Sequence, residues 1–299
     1  KGIDLGKIRW DLAMRYRLIE TIALWEGRLT TQHLVQGFGI SRQQASKDIN
    51  SYIKDYAPRN LTYDASLKGY TPTRQFQPRF IDASASAYLH MLNQSRERAP
   101  HIAGLERSYA GTEVLEVPDR SVRPEVLRPL LRACREGLRL ETEYASFKTP
   151  WSETRVIAPH TLVFTGLRWH VRAYCEKNGA WRDFVLSRFR GTPELLDASP
   201  QGSAYDPGWN TLVDVILAPD ARLEPEQRAI IEIDYAMQDG RLVLPTRGAL
   251  VQYVLRRYGL DPTKSDPNPA AQQLQVANLE QLRTWLYCAT CRHARHPPH

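Results

Sequence analysis

The chain has 299 residues, 42% of them hydrophobic and 24% charged, with a net charge of +7. This is the composition of an ordinary folded chain, not of a disordered, collagen-like or membrane-spanning one, and the length suits two domains of about 150 residues or three smaller ones. No window approaches the ~20 uninterrupted apolar residues of a span, the N-terminal stretch lacks a secretory signal's apolar core, and 4 cysteines are too few for a disulfide scaffold, so a cytoplasmic protein is expected. The charge is unevenly placed: residues 1–79 hold 13 Lys and Arg against 7 Asp and Glu, nearly the whole excess. A field focused on one small domain attracts polyanions.

From Ile8 to Trp25 apolar residues recur at helical spacing, and Gly27 ends the run. Thr31 is placed to cap a short second helix carrying Leu34 and Val35, which Phe38 and Gly39 break. Ser41 caps a third, with Gln44 three residues on as a capping box asks. Ala45, Ile49, Tyr52 and Ile53 form the buried stripe of that helix. Two short helices joined by a tight glycine turn read as a helix-turn-helix. The outward face of the third helix carries Arg42, Gln43, Ser46, Lys47 and Asn50, opposed only by Asp48. Arg and Gln in the first turn suit guanine and adenine edges, and Lys47 and Lys54 suit phosphates. Two short strands, Leu61–Tyr63 and Gly69–Thr71, form a wing that sets Lys68, Arg74 and Arg79 beside the groove. The competing reading is a structural three-helix domain whose polar face is merely solvated.

Ile81–Arg98 has the pattern of a linker helix or part of a dimer seam. A helix over Glu125–Glu136 follows, then strands near Arg139–Ser146, Thr154–Thr165, Leu167–Glu176 and Trp181–Phe189, the last two joined at Asn178-Gly179. One helix and four or five twisted strands resemble a small barrel. On the last strand Arg182 and Arg188 alternate with Phe184 and Leu186 on an apparently core-facing side, and buried guanidinium groups need an anionic partner. That reads as an anion pocket or, alternatively, as two strand-end arginines in solvent. The register is open: a two-residue turn sets Arg182 opposite Cys175, away from the His170 face, and a bulge reverses that.

Gly166-Leu-Arg-Trp-His-Val-Arg-Ala-Tyr174 followed by Arg182-Asp-Phe-Val-Leu-Ser-Arg-Phe189 resembles the WYL domain of bacterial transcriptional regulators. The chain as a whole resembles the subgroup beside phage-defence operons, called BrxR with BREX systems and CapW with CBASS systems. The resemblance covers residues 8–290. It implies an α+β multidomain fold: a winged helix-turn-helix (1–79), a helical linker and dimerisation region (80–118), an Sm-like WYL β-barrel (119–198), a C-terminal α/β extension (199–291) and a tail (292–299). It further implies a homodimer that binds an inverted-repeat operator on double-stranded DNA, usually as a repressor, with activators as the alternative. Its ligand pocket falls here on Ser146, His160, His170, Arg182 and Arg188, residue types that suit a nucleotide or oligonucleotide effector. His170 and Val171 stand where the family's name has Tyr and Leu, so the effector does not carry over from tyrosine-bearing relatives.

In the C-terminal part, strands are expected at Leu212–Leu217, Ile231–Tyr235 and Arg241–Pro245, and helices around Glu224–Ile230, Ala249–Arg257 and Glu280–Ala289. Asp261–Ala270 reads as a loop. Cys288, Cys291, His293 and His296 have zinc-like spacing without a second knuckle and read as a tail. Cys134 and Cys175 read as core residues. No phosphate loop, His-Glu-x-x-His or nucleophile elbow is present, so no enzyme, cofactor, metal or membrane partner is expected.

Overall fold

The computed structural model describes residues 8–85, 87–89 and 122–286. Most of the expected linker, the Cys288–His296 motif and the tail lie outside them. The chain divides into two compact units after Glu116.

The first unit packs helix α1 (Trp10–Glu26) against α2 (Thr31–Phe38) and α3 (Arg42–Ser51), followed by a π-helical turn (Tyr52–Tyr56) and a hairpin of β1 (Leu61–Asp64) and β2 (Gly69–Pro72). Tyr16, Ile19, Ile22, Leu29, Leu34, Ala45, Ile49 and Tyr52 form its core, so the helical spacing read from the sequence is the packing stripe. Gly27 and Gly39 close α1 and α2 in left-handed conformations. The cap of α2 is Thr30, not Thr31; its N–H donates to Nδ1 of His33 at 3.0 Å. Ser41 caps α3, its Oγ accepting the Gln44 N–H at 3.1 Å. The reciprocal half of that capping box is absent, because the Gln44 side chain donates to Asp48 Oδ1 at 2.7 Å. Leu29 and Tyr70 exchange backbone hydrogen bonds of 2.8 and 2.7 Å beside the hairpin. A Cβ on Gly69 would lie 2.9 Å from the Leu29 carbonyl oxygen, so this approach requires glycine.

In the second unit α4 (Pro124–Glu136) buries Val126, Leu130 and Ala133 and ends at Gly137. It covers a five-stranded antiparallel sheet of β3 (Leu138–Tyr144), β4 (Glu153–Phe164), β5 (Trp169–Cys175), β6 (Ala180–Val185) and β7 (Phe189–Ala198) in the order β6-β5-β4-β3-β7. The sheet is not closed into the expected barrel. Closure requires a ladder between β6 and β7, but these strands are the two edges. The chain between them makes a single 3-10 turn, Leu186–Arg188, that delivers β7 to β3. Strand count alone does not fix closure. The strand expected over Trp181–Phe189 therefore stops at Val185, and β7 is additional. Gly191 and Pro193 hid it in the sequence; an edge strand with register shifts against β3 accommodates both.

After the one-turn helix α5 (Pro207–Asn210), strands β8 (Leu212–Pro219), β9 (Leu242–Arg247) and β10 (Leu274–Val276) form an antiparallel sheet in the order β10-β8-β9. Helices α6 (Pro225–Asp234) and α7 (Val251–Arg257) and a one-turn helix at Pro269–Gln272, which takes the end of the expected loop, belong to the same part. The expected strand at Ile231–Tyr235 is the second half of α6: Ile231 is buried while Ile230 and Ile233 are exposed, a helical and not an alternating pattern. Of the helix expected over Glu280–Ala289, the described residues hold one turn, Leu279–Leu282, continued by a 3-10 turn at Arg283–Trp285, and residues 287–289 lie outside them.

Candidate nucleic-acid interface and ligand-binding face

The outward face of α3 is built by turning its carboxylate inward. Asp48, expected to oppose the basic face, is buried; Oδ2 lies 2.9 Å from Nε of Arg15 on α1, and Oδ1 accepts from Gln44. The negative charge is thus neutralised inside the scaffold, where it fixes α3 against α1. Arg42, Gln43, Lys47, Asn50 and Lys54 are exposed, Ser46 is half-buried, and all six line one shallow hollow with Ser51 and Asp55. Ser41 is exposed but its hydroxyl serves the cap, and Gln44 is committed to Asp48. Arginine, lysine and amide side chains on a rigid helix can donate to base edges and phosphates together.

The wing turn is set by Asp64, whose Oδ1 accepts from the Ser66 N–H at 2.8 Å, the Ser66 hydroxyl at 2.6 Å and the Leu67 N–H at 3.0 Å. These bonds hold its carboxyl below the usual carboxylate range. Arg28 donates to the Leu67 carbonyl at 2.6 Å, tying the tip to the end of α1. Lys68 is exposed at that tip with a φ of 49°, and Arg74 is exposed beyond β2, on a different hollow from α3's.

In the second unit strand β5 is buried on both sides. Cross-strand pairing sets Ala173 opposite Arg182 and Val171 opposite Phe184, whereas His170 faces Val185, Arg172 faces Asp183 and Tyr174 faces Trp181. The loop over residues 176–179 is longer than a two-residue turn, so Arg182 meets Ala173 and not Cys175, yet it still shares no face with His170. The guanidinium that is buried is Arg172, only 7% exposed. Its Nε and Nη2 pair with Oδ2 and Oδ1 of Asp206 at 2.7 and 3.1 Å, and Nη1 lies 3.3 Å from Asp183 Oδ1. Asp206 is fully buried and caps α5, accepting from the N–H groups of Gly208 and Trp209 at 3.0 and 3.3 Å. Burial works against its charge, but hydrogen bonds from His160 and Arg172 and the guanidinium's field outweigh that and hold its carboxyl well below the usual range. Asp183 in turn accepts from the Tyr253 hydroxyl of α7 at 2.8 Å. This chain of charges joins the five-stranded sheet to the C-terminal helices.

The expected pocket residues fall into three places. His160 and His170 belong to the buried cluster. His160 Nε2 lies 3.2 Å from Asp206 and its ring packs edge-on to Trp181 and Trp209. His170, 1% exposed, stacks on Tyr253 at 4.9 Å with its Nε2 3.7 Å from Asp183. Burial pushes its pKa down, and Asp183 only partly offsets this. Ser146 and Arg188 lie together elsewhere: the Arg188 carbonyl accepts the Ala145 N–H, and the guanidinium sits 4.7 Å from the centre of the Phe147 ring, itself 91% exposed. Arg182 is exposed on the opposite face. Arg172, Asp183, Asp206 and Tyr253 went unassigned in the sequence. The available signal was Arg172 alternating with His170 on a core strand. Cys175 is buried and Cys134 half-buried, its thiol pushed up to about 11 by burial.

Among the described residues no group of three or more His, Cys, Asp or Glu is arranged to hold a metal, and no helix is long and apolar enough to cross a membrane. Three family models match the chain: the BrxR transcriptional regulator winged helix-turn-helix domain over residues 11–94, the WYL domain over 125–192, and the BrxR transcriptional regulator C-terminal dimerization domain over 212–282. Relatives named DNA-binding transcriptional repressor CapW come from Stenotrophomonas maltophilia, 34% identical over 94% of both chains, and Escherichia coli, 37% identical over 92% of this chain and 91% of the relative. Another, from Pseudomonas aeruginosa, is 34% identical over 92% of both chains. A solved structure, proteasome accessory factor B/C of Arthrobacter aurescens, matches at 19% identity and a TM-score of 0.25, with the chain spanning half (50%) of its length. The winged domain, the WYL sheet and the full-length relatives agree: this chain belongs to the CapW/BrxR-like family of WYL-domain transcriptional regulators associated with phage-defence systems, a family of regulators and not of enzymes.

Proposed function

We propose that this protein is a DNA-binding repressor of a phage-defence operon that acts as a homodimer on an inverted repeat and is released by an anionic, nucleotide-like effector. The carrying observation is the α3 face, on which Arg42, Gln43, Lys47 and Asn50 are exposed while Asp48 is turned inward onto Arg15. Two such helices read half-sites one helical turn, or a multiple of it, apart. The relatives' name as repressors and the dimerization-domain match at 212–282 support the direction and the stoichiometry.

The effector's place is proposed at Ser146 and Arg188, beside exposed Phe147, with Arg168 and Arg188 both within electrostatic reach of the Tyr144 hydroxyl. His160 and His170, engaged inside the buried cluster, transmit the response and do not hold the ligand. Footprinting on the protein's own upstream DNA, with and without short oligonucleotides, tests the reading. A dimer neutralising several phosphates loses about 10³-fold or more in affinity between 50 and 200 mM salt. Arg42→Glu with Lys47→Glu abolishes protection, and deleting the gene raises promoter output. Undiminished protection by the charge-reversed protein, or a fall in output, overturns the proposal.

A further inference from the structure

A second basic hollow lies at the base of the wing, lined by Arg59, Asn60, Arg74, Gln75, Gln77 and Arg79. Its three guanidinium groups come from three places in the chain: just before β1, just after β2, and the segment that leaves the wing. All three are exposed, and among the described residues no ion pair joins any of them to a carboxylate. Three like charges converging on one concavity repel each other unless an anion occupies it.

The frame beneath is rigid and buried. Glu20 of α1 is fully buried, yet among the described residues no ion pair joins it. Its Oε1 accepts from the Tyr52 hydroxyl at 2.7 Å and the Arg79 N–H at 2.8 Å, and its Oε2 from the N–H groups of Phe80 and Ile81 at 2.7 and 3.2 Å. The Tyr52 oxygen accepts from Asn60 Nδ2 at 2.8 Å. Asn60 also grips the Gln77 backbone from both sides, donating to its carbonyl at 2.8 Å and accepting its N–H at 3.1 Å. The Thr73 hydroxyl donates to the Arg59 carbonyl and accepts the Gln75 N–H. A buried glutamate is thus used on main-chain donors to fix the backbones that carry exposed arginines.

We infer that this hollow is a phosphodiester-binding site, which clamps the backbone of the DNA duplex whose groove α3 reads. The inference rests on the DNA-binding reading above. It adds a positioning contact that is separate from the α3 face and indifferent to base sequence. A duplex is the favoured source of the anion because Arg59 follows Lys54, the last basic residue of the α3 face, by one short turn of chain.

Arg59→Gln with Arg74→Gln is measured by fluorescence anisotropy on two labelled duplexes, one from the upstream region and one of scrambled sequence, from 50 to 200 mM salt. Arg42→Glu with Lys47→Glu runs in parallel, and circular dichroism checks that every variant is folded. In the homodimer the double variant loses two phosphate contacts per protomer, four in all, which lowers the log–log salt slope by about 3.6 and narrows the gap from the unmodified protein about 150-fold across that salt range. Both duplexes weaken alike. Unchanged slopes, or a loss confined to the upstream duplex, overturn the inference while leaving the groove reading intact. Competition by inorganic phosphate at millimolar concentration in the absence of such slope changes also overturns it, since the hollow then binds a free anion. Unaltered binding by the α3 variant overturns the DNA-binding reading itself, and this inference with it.

Discussion

Replacing Arg172 with Met removes the guanidinium that bridges Asp183 and Asp206 while keeping most of the side chain's apolar length. Asp206 is fully buried, and the guanidinium supplies two of its hydrogen bonds, at 2.7 and 3.1 Å. Removing one partner of a buried pair strands the other charge and costs about 3–5 kcal/mol. For a unit of this size each kcal/mol lowers Tm by about 2–4 °C, so the second unit's transition falls by about 6–20 °C. Asp206→Asn keeps the ability to cap α5, since Asn caps as well as Asp, but it takes away one of the arginine's two carboxylate partners and leaves Asp183. In the double variant the Asp206 charge is no longer stranded, although Asp183 keeps its own, so the two substitutions together cost less than their sum. The pH dependence has a definite sign. The Asp206 carboxyl is held below its ordinary value of 3.8, so its contribution is complete above that pH and is lost as pH falls through the lower, folded-state value. The gap between Arg172→Met and the unmodified protein therefore narrows in strong acid. Thermal unfolding followed by near-ultraviolet circular dichroism reads all three quantities. A variant within about 1 kcal/mol of the original, or strict additivity with Asp206→Asn, refutes the reasoning.

Burial lowers the pKa of His170 below its ordinary 6.5, so the stability it contributes is complete above that pH and declines as pH falls below it. In urea unfolding at pH 7.5 and 5.5, His170→Phe should lose less stability on acidification than the unmodified protein; equal losses contradict this. Gly248→Ala is expected to destabilise the C-terminal part by about 1–3 kcal/mol, because the new Cβ would stand 2.5 Å from Cε3 of Trp285. A shift in tryptophan fluorescence should accompany it, and an unperturbed spectrum with unchanged stability excludes the close approach.

The first unit was legible because its signals are local. Gly27, Gly39 and Ser41 act within a turn of where they stand, and Ala45 and Ile49 show the stripe directly. What misled was the direction of one side chain. Asp48 looks outward by composition but points inward, because Arg15, 33 residues earlier, waits beneath it. In the second unit the motif was located correctly and its buried arginine was not. Arg182 and Arg188 stand between large apolar residues and look interior, yet Arg182 is exposed on β6, on the face away from His170, and a 3-10 turn after Val185 ends the alternation before half-buried Arg188. Arg172 is interior because Asp206, 34 residues on, arrives from a helix cap that no local pattern connects to it. Strand β7 was lost to its own glycine and proline, and α6's second half to an isoleucine-rich run that reads equally as strand.

The two-sided burial of β5 restricts how this motif can change. Positions 170–173 have no solvent face, so an altered side chain at one of them meets either α4's apolar layer or the charged layer leading to Asp206 and Tyr253. A neutral residue at 172 is tolerable only if 183 and 206 lose their charges together with it. Such a triad is gained or given up as a set, and a regulator that has drifted to an apolar version must connect its two C-terminal parts by some other means.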